Sequence, residues 1–213
     1  MNVIANTTHR MGDALGEGGE GLTKSTAWQR VRLLPDRSPD SQPILALGDQ
    51  TCLTRPTMAL LSSANAPASI LLAVHDLAQG WRRQGPVIMS GFQSPVENEA
   101  LAVLLRGPQP LVIWLGRGPL QRLPTDYEQP LAQERLLLIA PFGAHVKRAT
   151  TESALIRNRL LAQAADALLV AHAEPGGKTE QLAVEMIATG RTVYTLDHPT
   201  NARLFALGAR LLG

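Results

Sequence analysis

From Pro43 onward the chain alternates short apolar runs with segments of helical periodicity, and no other feature restricts its fold as much. The runs are PILALGD (43–49), PVIMSG (86–91), PLVIWLG (110–116), RLLLIAPF (135–142), DALLVAHA (166–173) and RTVYTLD (191–197). Between them the spacing predicts helices near 67–84, 95–106, 151–165 and 178–189, with a shorter one around 126–133. Strands apolar on both faces and separated by helices belong to a parallel sheet covered on both sides. The expected fold is therefore α/β, a doubly wound, mostly parallel sheet of about six strands with helices on both faces. With 213 residues, 45% of them hydrophobic, the chain can bury one sizeable core. That domain is read as 43–213.

Residues 1–42 lack sustained periodicity and are expected to form a flexible or partly ordered N-terminal segment, with TAWQRVRLL as its one candidate helix or strand. Its GEGGEG run (16–21) has the letters of a dinucleotide fingerprint without the preceding buried strand or the following amphipathic helix.

Composition removes several chemistries. Cys52 is the single cysteine, so no intramolecular disulfide and no thiolate metal cluster can form. The five histidines show no H-E-x-x-H pattern, and no G-x-S-x-G elbow occurs, so neither a zinc hydrolase nor an α/β-hydrolase is expected. No cofactor or metal is predicted. No 18-residue apolar stretch and no signal-type h-region is present, which predicts a cytoplasmic protein without a membrane partner. A net charge of +2 is compatible with a polyanion partner without requiring one. Aromatics make up 4% of the chain, leaving Trp114, Phe142 and Tyr127 as single candidate platforms for base stacking.

Ligands of open α/β sheets bind at the carboxyl ends of the strands. The segments to inspect are therefore 48–57, 90–97, 116–122, 141–148, 173–180 and 197–201. In AEPGGKTEQLA (173–183) the letters G-K-T suggest a phosphate-binding P-loop, but position 172, where its first glycine belongs, is His172. What remains is a turn at Gly176 and Gly177 leading through Lys178, Thr179 and Glu180 into a helix. It reads either as a tight strand–helix turn or as an anion site at a helix N-terminus. MSGFQSPVENEAL (89–101) repeats the arrangement, with Ser90-Gly91 at a strand end and Ser94-Pro95-Val96-Glu97 in the form of a capping box. Glu97 either reaches back to the Ser94 backbone or stands as a carboxylate at the sheet edge.

In APFGAHVKRATTESALIRNRLLAQAAD (140–166) a loop carrying Lys147 and Arg148 leads to a helix capped by Thr150 or Thr151. At 100° steps Ile156, Leu160, Leu161 and Ala164 form an apolar arc that contains Arg157, flanked by Asn158 and Arg159. A cation on that side either bonds backbone carbonyls or opens onto a ligand, and arginine suits phosphate because its planar fork donates bidentately. Arg55, Arg117 and Arg122 extend the candidate basic rim.

SGFQSPVENEAL, LLLIAPF, ALIRNRLLAQAADALLVAHAEPGGKTEQLAVEMIATGRTVYTLD and NARLFALGA resemble, in order and spacing, the DprA/Smf DNA-processing family over roughly 43–210. The resemblance implies a Rossmann-like domain of the SLOG superfamily that binds single-stranded DNA without being an enzyme, acting in recombination or foreign-DNA handling. It also implies a RecA-type recombinase partner and a homodimer. Ser90-Gly91 matches the family's Ser-Gly, Gly176-Gly177 stands where the family has Ser-Gly, and Asn201 with Gly208-Ala209 matches its closing signature. The implied DNA- and phosphate-binding set is Ser90, Gly91, Lys147, Arg148, Arg157, Asn158, Arg159, Gly176, Gly177, Lys178 and Thr179. The chain departs from the family after Gly91. Ser94, Pro95 and Glu97 replace the Arg, Gly and Asp of its Leu-Ala-Arg-Gly-Ile-Asp run, and Leu101 replaces a later His. This suggests a divergent, stand-alone member. PGGKTE is also similar to the signature of LOG-type nucleotide phosphoribohydrolases, which implies an alternative: a SLOG-type nucleotide sensor or hydrolase with Glu97 and Glu180 as its carboxylates.

Overall fold

The computed structural model describes residues 27–34 and 42–213. The GEGGEG run, and the predicted flexible segment apart from 27–34 and 42, lie outside the described residues. Nine strands form one sheet: β1 (Gln29–Val31), β2 (Ile44–Gly48), β3 (Thr57–Ser62), β4 (Val87–Ser90), β5 (Leu111–Trp114), β6 (Leu136–Ala140), β7 (Ala167–His172), β8 (Thr192–Thr195) and β9 (Arg210–Leu211). The helices are α1 (Ala68–Trp81), α2 (Pro95–Leu104), α3 (Thr125–Ala132), α4 (Thr151–Ala164), α5 (Lys178–Ala188) and the short α6 (Ala202–Ala206). All five expected helices are present, with ends within three residues of those read from periodicity.

The sheet order is β1-β2-β6-β5-β4-β3-β7-β8-β9, parallel from β6 through β9. The chain starts the parallel set at β3, winds outward through β4, β5 and β6, then crosses back to β7, so the switch point lies between β3 and β7. Strand residues alternate between two cores. Ala59, Met89, Trp114, Ile139 and Val170 face Leu161 of α4 and Ala183 and Met186 of α5. Leu60, Ile88, Ile113, Leu138 and Leu169 face Ile70 and Val74 of α1 and Val96 and Ala100 of α2. Helices therefore cover both faces, which is why each central strand reads as a continuous apolar run.

Two expectations need correction. The run at 43–49 becomes β2, which pairs antiparallel with β6 and lies toward the far side of the sheet. Its carboxyl end therefore points to the opposite edge, taking Arg55 away from the candidate rim. Gly48, at φ +111°, ends that strand where an added Cβ would come within 2.2 Å of the Leu136 carbonyl oxygen. The second correction concerns β3, TMALLS, a central strand in a stretch with no predicted element. Cys52 is buried beside β2, and burial pushes its thiol up to about 12. Among the described residues no helix is long and apolar enough to cross a membrane.

Candidate functional site

The carboxyl edge of the parallel strands presents the loops after β6, β5, β4, β3 and β7, in that spatial order. Two side-chain networks organise it, and both pass through the end of β3.

The first joins β3, β4 and β5. Ser90, fully buried at the end of β4, accepts the Phe92 N–H on its Oγ at 3.1 Å, and Phe92 takes φ +50°. This sharp turn sets the Gln93 N–H on Glu97 Oε2 at 2.9 Å, while the Ser62 N–H donates to Glu97 Oε1 at 3.0 Å. Ser94 Oγ caps α2 through the Glu97 N–H at 3.2 Å, with Pro95 at the first helical position. The carboxylate thus does not close a capping box on Ser94; it ties together the loops after β3 and β4. Beneath them lies Arg157, only 2% exposed. Its Nη1 donates to the Trp114 carbonyl at 2.9 Å and its Nη2 to the Gln93 side chain at 3.0 Å. Burial lowers its pKa, and the Glu97 carboxylate opposes that shift. A Cβ at Gly91 would fall 1.5 Å from Arg157 Nη1, so glycine is required there to leave room for the guanidinium.

The second network joins β3, β7 and β8. The Ser63 N–H donates to the His172 carbonyl at 2.9 Å, the Glu174 N–H to Ser63 Oγ at 3.1 Å, and Asn65 Nδ2 to Glu174 Oε1 at 2.8 Å. Asn201, fully buried, clamps the ends of β7 and β8 by donating to the Ala171 and Leu196 carbonyls at 2.9 and 3.2 Å. His172, the residue that rules out a P-loop, is buried against the Asn201 side chain. The turn after β7 closes through the Gly177 N–H to the Glu174 carbonyl at 2.9 Å, with Gly176 at φ +73°. Glu180, 4% exposed, accepts the Gly176 N–H at 2.9 Å and pairs with Arg203 at 2.7 Å. The glycine N–H groups expected to meet a ligand are therefore engaged internally. The N-terminus of α5 itself has no side-chain cap, and Lys178 at its start is exposed.

The Arg157-Asn158-Arg159 run divides in direction. The buried face of α4 is Ser153, Arg157 and Leu161, whereas Ile156, expected in the apolar arc, is 40% exposed. Arg159 projects outward to Glu185 of α5 at 2.8 Å, and Asn158 is half-buried. Residues two apart on a helix diverge by about 200°, so these two cations cannot face one phosphate. Thr150 caps α4 in a reciprocal box with Ser153, whose hydroxyl also donates to the Gly116 carbonyl at 2.6 Å. Lys147 and Arg148 are exposed in the loop before that cap. Trp114 is fully buried and cannot stack a base; Phe142 and Tyr127 are half-buried.

Ser62, Ser63 and Asn65 were not among the predicted site residues. The signal was present: the run T-M-A-L-L from Thr57, followed by S-S-A-N-A-P, has the pattern of a buried strand and its turn.

The DNA processing protein A of Helicobacter pylori, described by its single-stranded DNA binding mode, matches this fold with a TM-score of 0.69 at 18% identity, covering 87% of this chain and 90% of that one. The DNA processing protein A of Streptococcus pneumoniae matches with 0.67 at 18% identity, covering 80% of this chain; the chain spans only 62% of that protein. A molybdenum cofactor binding protein from Rippkaea orientalis matches with 0.53 at 14% identity, over 75% of this chain and 90% of that one. The architecture is thus shared by proteins with different ligands. No match was found among curated protein sequences. The family model for DNA recombination-mediator protein A covers residues 34–212, and the chain belongs to that family of DNA-processing proteins.

Proposed function

We propose that this protein binds single-stranded DNA along the carboxyl edge of its sheet, as a non-enzymatic DNA-processing module of the cytoplasm. The observation that carries the reading is the order of the strands. It lines up Lys147 and Arg148 after β6, Arg117 and Arg122 after β5, the Gly91 turn after β4, Ser63 and Asn65 after β3, and Lys178 after β7. Four interstrand spacings make this track about 19 Å long. Lys147, Arg148 and Lys178 would neutralise phosphates, and the uncapped start of α5 at Lys178 and Thr179 would offer backbone N–H groups. Arg157, with Ser90 and Gly91, holds the central loops in place.

The alternative, a nucleotide hydrolase using Glu97 and Glu180, is not favoured by the geometry. Both carboxylates are 4% exposed and accept backbone N–H groups. A homodimer and a RecA-type recombinase partner belong to the same proposal. Light scattering measures the first, and co-sedimentation with a recombinase filament measures the second.

Fluorescence anisotropy with a labelled dT oligonucleotide tests the DNA reading. The affinity is expected to fall with salt with a log–log slope of about −2 to −3, for three or four neutralised phosphates at ~0.7 each. Lys147→Ala combined with Arg148→Ala should lower that slope by about 1.4. Affinity indifferent to salt, or a slope unchanged in the double variant, rejects the track.

A further inference from the structure

The opposite edge of the sheet carries charge that the reading above does not use. Five arginines gather where the chain enters its parallel strands: Arg55 before β3, Arg82 and Arg83 before β4, Arg106 before β5 and Arg135 before β6. These strands are neighbours in the sheet, and direct contacts join the arginines into one surface. Arg55 Nη2 donates to Gln109 Oε1 at 2.5 Å, and the Gln109 N–H donates to the Arg82 carbonyl at 3.3 Å. That carbonyl presses on Gly107, where an added Cβ would lie 2.1 Å away, which sets Arg106 beside Arg82. Arg135 Nη2 donates to the carbonyl of Leu105, the residue before Arg106, at 2.7 Å.

None of the five forms an ion pair with a carboxylate among the described residues, whereas Arg159 and Arg203 elsewhere each do. Arg82 and Arg106 make no side-chain hydrogen bond among the described residues. Arg135 encloses Nη1 without a partner, and burial lowers its pKa. Helices α1, α2 and α3 end at this edge, and cations favour helix C-termini. Arg83 serves in that way, through Nε to the Gln79 carbonyl at 3.3 Å. Three helix ends do not account for Arg55, which stands at the amino end of β3 and follows no α-helix.

We infer that this amino edge is a second binding face for a nucleic-acid phosphate backbone, so that one chain holds two DNA segments on opposite edges of its sheet. It rests on the carboxyl-edge reading only in taking DNA as the ligand. Arg55, Arg82, Arg83 and Arg106 would meet the phosphates, arginine's fork donating bidentately, while Arg135 braces the edge through Gln133 and the Leu105 carbonyl. Three interstrand spacings from β3 to β6 give an edge of about 14 Å, enough to follow several phosphates of one strand.

The test mixes the full chain with donor-labelled and acceptor-labelled dT oligonucleotides, which cannot pair with each other. Energy transfer reports bridging, and anisotropy at limiting oligonucleotide reports the tighter single site. The double charge reversal Arg82→Glu with Arg106→Glu is expected to cut bridging by about fivefold or more while changing single-site affinity less than about twofold. If the reversal variant does not fold, Arg82→Ala with Arg106→Ala should give a smaller loss of the same sign. Transfer absent in the wild type, or unchanged in a folded variant, overturns the proposal. The second outcome assigns bridging to oligomers that use the carboxyl edge alone. Wild-type protein that captures phosphatidylserine vesicles without bridging oligonucleotides also overturns it, in favour of a membrane face. Failure of all oligonucleotide binding removes the carboxyl-edge reading as well, whereas a failure confined to bridging removes this inference alone.

Discussion

Helices α2 and α5 enter the same edge of the sheet with a glutamate at the third helical position, and the two ends are finished differently. At α2 the cap is Ser94, the first residue is Pro95, and Glu97 receives N–H groups from two other loops, at Ser62 and Gln93. Arg157 fills the space beneath and bonds the end of β5. At α5 the cap is Gly177, which has no side chain to offer. Glu180 receives the Gly176 N–H from its own turn and an ion pair from Arg203, a side chain 60% exposed. A glutamate tied to separate strands welds them together, whereas one tied to its own turn shapes that turn and leaves the helix end open. The rigid end therefore positions, and the open end is the one suited to receive an anion.

That contrast can be broken by substitution. Arg157→Ala should cost the most, about 3–5 kcal/mol, because it empties a buried site and orphans the Trp114 carbonyl. Urea denaturation measures this, and a loss below about 1 kcal/mol would show that the α2 end is not welded. Gly91→Ala drives a Cβ into the same guanidinium and should lose about 2–3 kcal/mol. Glu97→Gln keeps one acceptor oxygen for two N–H groups, so about 1–2 kcal/mol is expected. The matching Glu180→Gln keeps its acceptor for Gly176 and gives up only a solvent-screened pair, so less than about 1 kcal/mol should be lost. Equal losses at the two glutamates would erase the distinction. A comparably small effect is expected for Gly176→Ala, about 1 kcal/mol from the positive φ alone, since nothing lies within 4 Å of the added Cβ. With the fold thus intact, that variant sharpens the comparison by showing in DNA titrations whether the open turn matters to binding.

The longer helices were legible because they repeat apolar positions over two turns or more, as Ile70, Val74 and Ala78 do in α1, whereas the five-residue α6 is too short to show such a repeat. The runs at 86–91, 110–116, 135–142 and 166–173 were legible because a two-faced sheet needs no polar alternation. β3 was harder to see. Its six residues lie between a 3-10 turn and α1, with no glycine or helix before them to mark a start. The direction of β2 was not legible at all, because an apolar run reads alike in a parallel or an antiparallel pair. In the candidate site, the glycine turns and the cap at Thr150 followed from local chemistry, as did the inward placing of Arg157 and Leu161 on α4, though not the exposure of Ile156. That Arg157 and Arg159 have separate partners depended on Trp114, 43 residues away, and Glu185, 26 residues away.

The sequence by itself determined the layers: apolar runs of strand length separated by amphipathic helices have one economical way to bury both faces of a sheet. It also determined where turns and caps fall, since these depend on residues within four positions of one another. Only the tertiary structure decided which strand stands at the switch point, which loops therefore share an edge, and which cations are spent inside the protein. Those outcomes depend on pairings between segments far apart in the chain, and no local periodicity encodes them.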